Sequence, residues 1–143
     1  MTSTKTIDIK VERMIPAPCA EVFDAWLNPK VPGTTWNAAD KFILNPKVDG
    51  LFYWRMKGTY HYGLFTKVER PNLIEHTWIS PNTSGLESTI TITFNPRGDH
   101  TLMTLVHAGL PDTDRGRSHE RGWNYFLGIF PEQFAKSPNK MTQ

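Results

Sequence analysis

Three histidines, at positions 76, 107 and 119, are the best candidates in this sequence for acid–base catalysis or ligand binding. His119 shares one face of a predicted helix with Trp123 and Phe126, because residues at this spacing lie on one side at about 100° per residue. His76 and His107 are each assigned to the inward side of a predicted strand. Imidazole exchanges protons near neutral pH, so such rings could act as general acid and base or orient polar atoms of a bound molecule. The other interpretation is that each ring is buried and hydrogen-bonded, anchoring a strand end to the helix.

Other chemistries have less support in the sequence. There is no CxxC, HxxxH or HExxH spacing, so we expect no metal and no cofactor. Cys19 follows two prolines with no base nearby, which is not typical of a nucleophile. Glu120 should turn about 100° away from His119, toward solvent or the cavity rim. Catalysis by the histidines is therefore an alternative, and a protein that is not an enzyme is the favoured interpretation.

Large apolar side chains share the predicted inward faces with the histidines, as the walls of a pocket would. Trp36 stands on a predicted loop, where it could plug a core edge or form a pocket mouth. Alternation does not decide whether His61 or Tyr62 faces inward. The pattern predicts a site for a mostly apolar small molecule, unless these side chains fill the space as a solid core. The predicted ligand-binding residues are Trp36, Trp54, Met56, His61, Tyr62, His76, Trp78, Ile92, Met103, His107, His119, Trp123, Phe126 and Phe130.

Length and composition fit one small domain spanning residues 1–143. The formal charge of +2 is spread among interspersed acidic and basic residues, so we expect no nucleic-acid partner. The single cysteine cannot form an internal disulfide, and the polar stretch from Met1 to Lys10 does not resemble a signal peptide. No window approaches the roughly 18 apolar residues of a membrane span. These features favour a cytoplasmic protein.

The elements that must position the histidines begin with a strand, Thr6 to Met14, and a helix, Cys19 to Leu27. Pro29 to Asp40 should be irregular or contain one helical turn. Six more strands follow, separated by turn-forming residues: Lys41 to Asn45, Leu51 to Lys57, Thr59 to Glu69, Leu73 to Ser80, Glu87 to Asn95 and Thr101 to His107. Short turns force antiparallel neighbours, so we expect an α+β meander. A final helix should run from about Asp114 to about Lys136, with a kink or a second segment at Pro131.

Two details of the predicted strands Thr59 to Glu69 and Thr101 to His107 bear on the site. Gly63 suggests a bulge or a close backbone approach. The strand from Thr101 to His107 is apolar on both sides, and we place Met103 and Leu105 inward together with His107.

Several motifs occur in an order that resembles a known family: PAPCAEVFDAWLNP, VDGLFYWRM, GLFTKVERPNLIEHTW, STITITFNPRGDHTLMTLVHAGLPD and HERGW. The chain from about Thr6 to Phe134 resembles the C-terminal domain of the Hsp90 ATPase activator, within the START-like polyketide-cyclase superfamily. The resemblance implies a helix-grip (START/Bet v1-like) fold. In that fold a curved antiparallel sheet of about seven strands wraps around a long C-terminal helix, with one or two short helices after the first strand. Family members often carry a Trp-Trp pair after the first helix, where this chain has only Trp36.

The resemblance leaves three functions open, because the superfamily includes ligand carriers, cyclases and chaperone partners. The leading hypothesis is binding of a hydrophobic small molecule between the sheet and the C-terminal helix. The first alternative is a chaperone-associated or dimerising module. Because the sequence shows no partner-binding N-terminal domain before Thr6, we expect a homodimer more than a chaperone partner. The second is an enzyme of cyclase or hydrolase type that uses the pocket histidines.

Overall fold

The strands and helices follow the chain order that the turn-forming residues predict. The computed structural model describes residues 5–135. Its strands are β1 (Thr6–Ile15), β2 (Lys41–Leu44), β3 (Leu51–Met56), β4 (Thr59–Glu69), β5 (Leu73–Trp78), β6 (Ser88–Arg97) and β7 (His100–Pro111). Its helices are α1 (Cys19–Trp26), α2 (Thr35–Ala38), α3 (Asp114–Arg117), α4 (His119–Ile129) and α5 (Glu132–Ala135), with a 3-10 turn at Pro81–Thr83.

The strands form one seven-stranded antiparallel sheet in the order β1-β7-β6-β5-β4-β3-β2. Consecutive strands from β2 to β7 are neighbours, as short connections require. β1 pairs with β7 from Thr6 opposite Pro111 to Ile15 opposite Thr101, so the first strand lies beside the last. The predicted α+β class and helix-grip fold are confirmed, with the sheet curved around the C-terminal helical segment.

The inward face of the sheet carries the core, and strand alternation explains which residues reach it. On β5, Ile74, His76 and Trp78 are buried while their neighbours are only partly buried. On β7, Met103 and Leu105 are fully buried, as predicted for that ambiguous strand.

The segment after α1 contains one short helix, one of the two predicted outcomes. Thr34 caps α2, its hydroxyl accepting a hydrogen bond from the backbone N–H of Asn37. Trp36 on α2 is buried, and its indole N–H donates to the Trp26 carbonyl at 3.2 Å. Trp36 therefore plugs the edge of the core, which is one of its two predicted roles, and it does not line the mouth of the cavity between the sheet and the C-terminal helical segment.

The predicted C-terminal helical segment begins at Asp114, as expected, but it is interrupted twice. Three helices occupy the segment, and the proposed end at Lys136 lies outside the described residues. Pro131 separates α4 from α5, which is the predicted second segment. The other break, at Ser118 between α3 and α4, was not predicted. Within the described chain, no helix has the length and apolar character needed to cross a membrane.

Candidate functional site

A cavity of about 300 Å³ lies between the sheet and the first two turns of α4. β3, β4 and β5 supply one wall, and α4 supplies the other. Its lining residues are Trp54, Met56, Lys57, Thr59, His61, Trp78, Asn82, Ser118, His119, Gly122, Trp123 and Phe126. The walls are mainly aromatic, and the polar groups are few, which is the usual composition of a small-molecule site.

Seven of the residues predicted from the sequence lie together along this cavity: Trp54, Met56, His61, Trp78, His119, Trp123 and Phe126. The sequence reasoning did not include Lys57, Thr59, Asn82, Ser118 and Gly122. Most of these lie in turns or at the ends of elements, where binding residues concentrate, so the turn between β3 and β4 was the available signal.

Four of the other predicted residues belong to the packed interior rather than to the cavity: His76, Ile92, Met103 and His107. His76 lies against the rings of Phe52 and Phe65, with centroid distances of 4.6 and 5.2 Å. Ile92 and Met103 are fully buried on β6 and β7.

The last three predicted residues, Phe130, Trp36 and Tyr62, lie outside the cavity lining. Phe130 packs edge-on against Trp26 at the far end of α4. Trp36 packs against Phe52 and does not line the cavity. Tyr62 is 42% exposed, because its neighbour His61 takes the inward side of β4. His107 lies behind the cavity wall, against the rings of Trp78 and Trp123.

His119, the first residue of α4, presents a hydrogen-bond acceptor to the cavity. Its Nδ1 lies 3.0 Å from the Gly116 carbonyl and 3.1 Å from the Arg115 carbonyl, so Nδ1 carries the proton. Nε2 is then an acceptor, and the Trp78 indole N–H donates to it at 3.4 Å. Burial lowers the pKa of His119, which keeps the ring neutral at neutral pH.

His107 supports this arrangement from behind. Its ring centroid is 5.0 Å from that of His119, and the Trp123 indole N–H donates to its Nδ1 at 3.0 Å. Ser88 Oγ donates to the Trp78 carbonyl at 2.8 Å and therefore accepts from the His107 Nε2–H at 2.8 Å. Burial holds the pKa of His107 well below its usual range. Its two nitrogens are thus used to hold the Trp123 indole and the Ser88 hydroxyl, which in turn holds the backbone carbonyl of Trp78.

His61 and Trp54 form a stacked pair in the β3–β4 wall. Their ring centroids are 4.2 Å apart with planes 6° from parallel. Burial lowers the pKa of His61 to about 4, so this ring is neutral as well. No described protein atom pairs with Trp54 Nε1 or His61 Nδ1, although both atoms are buried. Such unpaired buried groups are uncommon in native structures.

The chemistry available in the cavity is that of neutral acceptors and aromatic faces. None of the described lining residues is a carboxylate, and the exposed Lys57 is their only permanent charge. Ser118 Oγ is occupied in donating to the Arg115 carbonyl at 2.6 Å. Across residues 5–135, no group of three or more His, Cys, Asp and Glu side chains could hold a metal ion.

A second hollow, of about 450 Å³, lies at the opposite end of the domain beside Pro16 and Phe134. Its lining includes the exposed charged residues Glu21 and Asp99. One phenylalanine, Phe134, lines this hollow, whereas three tryptophans and one phenylalanine line the first cavity. The hollow therefore suits an apolar ligand less well.

Comparison with known proteins places this geometry among related folds. A family model described as "Activator of Hsp90 ATPase homolog 1-like protein" matches residues 16–134. The curated proteins contain no match. Protein MLL2253 from Mesorhizobium loti has a TM-score of 0.75 at 20% identity, covering 92% of this chain and 98% of that chain.

Two further structures carry descriptions of their own. An HSP90 activator from Plasmodium falciparum, PFC0360w, has a TM-score of 0.69 at 22% identity, covering 89% of this chain and 92% of its own. The Aha1 dimer from Colwellia psychrerythraea has a TM-score of 0.72 at 15% identity, covering 90% and 96% respectively. At these identities the likeness extends to the fold alone.

Proposed function

Since the chain belongs to the family of Activator of Hsp90 ATPase homolog 1-like proteins, and a family of this fold does not by itself specify a partner or a reaction, we propose its function from the cavity. The protein binds a small, mostly apolar molecule between the sheet and α4. The observation that carries this proposal is the cavity of about 300 Å³, which has aromatic walls and a His119 acceptor beside it.

The volume limits the size of the ligand. About 300 Å³ corresponds to roughly ten water molecules at liquid density. This is the low end of the range for small-molecule sites, so the ligand is one or two fused rings rather than a long lipid chain. With about 0.6 kcal/mol per non-hydrogen atom, a ligand of about ten atoms would bind with a Kd of tens of micromolar.

The test uses naphthalene and 2-naphthol as probes at up to about 1 mM, with isothermal titration calorimetry and ¹H–¹⁵N NMR. We expect binding to the wild-type protein, with shifts of the indole N–H signals of Trp54, Trp78 and Trp123. Native mass spectrometry of the freshly purified protein examines the same site for a bound natural ligand. Absence of both probe binding and a bound ligand would contradict the proposal.

Two glycines on α4 provide a matched pair of variants. A Cβ at Gly122, which lines the cavity, meets no atom within 4 Å, so the Gly122→Leu side chain has room to fill the cavity. Gly128 is exposed on the same helix and also has free space around it. We expect Gly122→Leu to lose probe binding and Gly128→Leu to keep it. Equal binding by the two variants would place the ligand elsewhere.

Self-association is a second candidate function, favoured by the outer face of β2, β3 and β4. Ile43 and Leu51 are each 59% exposed on this face. Strand register puts Ile43 and Tyr62 on either side of Tyr53, and Leu64 opposite Leu51. An exposed apolar group of this kind is typical of interaction sites. β2 is also a sheet edge, which could pair with an identical strand.

The occupant we propose for this face is a second copy of the chain. Light scattering after size exclusion should show a dimer at about 200 µM protein, and Ile43→Lys with Leu64→Lys should return it to a monomer. Tyr125→Lys, at an exposed position on α4, is the control and should leave the dimer intact. A monomeric wild-type protein would exclude self-association. If Hsp90 then retained the wild-type protein, the face would be assigned to a chaperone.

A further inference from the structure

We propose that the cavity selects a planar aromatic molecule bearing a neutral hydroxyl group, and that the hydroxyl bridges His119 and Trp78. This inference rests on the proposed function and names the ligand class of the same site. It follows from four observations: the fixed tautomer of His119, its long contact with Trp78, the absence of a buried charge among the described lining residues, and the aromatic ring surfaces of the cavity.

The tautomer of His119 is fixed by the break between α3 and α4. Two carbonyls, those of Arg115 and Gly116, face Nδ1 at 3.1 and 3.0 Å. A carbonyl only accepts hydrogen bonds, so the proton must stay on Nδ1. Nε2 is therefore an acceptor before any ligand arrives, and a ligand atom that meets it must be a donor.

The present partner of Nε2 holds it weakly. The Trp78 indole N–H is 3.4 Å away, whereas N–H hydrogen bonds are usually 2.7 to 3.2 Å long. A hydroxyl oxygen beside this pair could donate to His119 Nε2 and accept from Trp78 Nε1 at the same time. An ether oxygen could only accept, which would leave Nε2 without a donor. The pair therefore distinguishes a hydroxyl from its methyl ether.

The surroundings favour the neutral form of that hydroxyl. Burial lowers the pKa of His61 and of His107, so neither ring offers a positive charge to an anion at neutral pH. The described lining also has no carboxylate to pair with a cationic ligand, and its one permanent charge, Lys57, is exposed to water, which screens its attraction for an anion. A neutral phenol is bound without the cost of burying a charge, which a phenolate or an aromatic carboxylate would have to meet.

The walls opposite the hydroxyl position favour a flat ring. Trp54 and Phe126 are perpendicular within 4° at a centroid distance of 6.3 Å, and Trp78 and Trp123 lie 5.3 Å apart. These surfaces offer both ring faces and ring edges, and aromatic ligands pack well against such combinations. Met56 is the flexible member of the lining and can adjust to the outline of the ring.

The experiment compares 2-naphthol, 2-methoxynaphthalene and naphthalene by calorimetry at pH 7.5. We expect 2-naphthol to bind about tenfold more tightly than the other two, which corresponds to one well-formed hydrogen-bonding group. His119→Leu should remove this preference, so that 2-naphthol and naphthalene, measured in the same variant, bind with equal affinity. His100→Leu, at an exposed position at the start of β7, is the control and should keep the preference.

A measurement on the wild-type protein keeps the test independent of how the variants fold. The ¹⁵N resonance of His119 Nε2 should shift toward lower frequency with 2-naphthol, because its lone pair gains a stronger donor, and should not do so with 2-methoxynaphthalene.

The outcomes separate the two proposals. Equal affinity for the three probes, or a preference that survives His119→Leu, overturns the hydroxyl inference while the apolar site stands. If none of the probes binds, both proposals fail.

Discussion

His76 is buried on the inward face, and its burial has a consequence for stability. Its ring contacts those of Phe52 and Phe65, and its Nδ1 is 2.9 Å from the Thr77 carbonyl, to which Nδ1–H donates. Burial lowers the pKa of His76 to about 4. An unfolded histidine has a pKa near 6.5, so the two states bind different numbers of protons between these values.

The first prediction is therefore a loss of stability as the pH falls from about 6.5 to about 4. The unfolded chain takes up a proton in this window and the folded ring does not, so His76 alone accounts for a loss on the order of 3 kcal/mol. Urea denaturation at pH 7.0, 5.5 and 4.5 measures it. His76→Leu should reduce this loss without abolishing it, because the lowered pKa values of the buried His61 and His107 act in the same direction. An unchanged slope in His76→Leu would mean that the ring is solvated.

The positions of the histidines also show what alternation along a strand can predict. It correctly gave the inward direction of His76 and Trp78, which are two residues apart on β5. It could not predict that Trp78 borders the cavity while His76 lies beneath Phe52, since that depends on the space left by β3 and α4. For β4, the apolar body of Tyr62 made both registers acceptable, so the sequence could not decide between it and His61.

At the scale of elements, the contact between β4 and β5 depends on a residue without a side chain. A Cβ at Gly63 would overlap the carbonyl oxygen and hydroxyl of Thr77, and the Leu64 N–H donates to that hydroxyl at 2.9 Å. The expected close backbone approach at Gly63 is therefore confirmed.

The second prediction is that Gly63→Ala destabilises the protein by about 1 to 3 kcal/mol, because β4 and β5 must separate to admit a methyl group. Gly128→Ala provides the comparison. Its Cβ meets no atom within 4 Å, and alanine favours a helix, so it should stabilise by up to about 1 kcal/mol. Thermal unfolding of both variants tests this. If Gly63→Ala matches the wild type, the strands are not held at this distance.

Most of the strands and helices could be predicted from the sequence, but the end of α3 could not. Turn-forming residues mark the ends of strands locally, so seven strands could be identified from the sequence. The end of α3 has no such mark. Gly116 is packed against the Pro111 carbonyl, and Arg117 forms ion pairs with Asp112 and Asp114. These contacts accompany the break at Ser118, which puts His119 at the start of α4. Helix propensity is a property of single residues, so it does not include such contacts.

At the scale of the whole molecule, the tryptophans report on a single core. Trp26, Trp36, Trp54, Trp78 and Trp123 are all buried, and they come from α1, α2, β3, β5 and α4 respectively. All five belong to one hydrophobic cluster. The sheet that holds this cluster joins β1 to β7, so the N-terminal strand is paired with one from the C-terminal half.

The third prediction is that the described domain unfolds in one cooperative transition. Removal of α4 would expose Trp123 and the cavity wall at Trp78, and separation of β1 would expose the inward residues of β7, so neither can leave at small cost. Tryptophan fluorescence and far-UV circular dichroism should therefore give the same urea midpoint, and the calorimetric and van't Hoff enthalpies should agree. A Trp123→Phe variant identifies the contribution of α4 to the fluorescence signal. A fluorescence midpoint well below that of circular dichroism, lost in this variant, would mean that α4 detaches first and that the cavity opens by local unfolding.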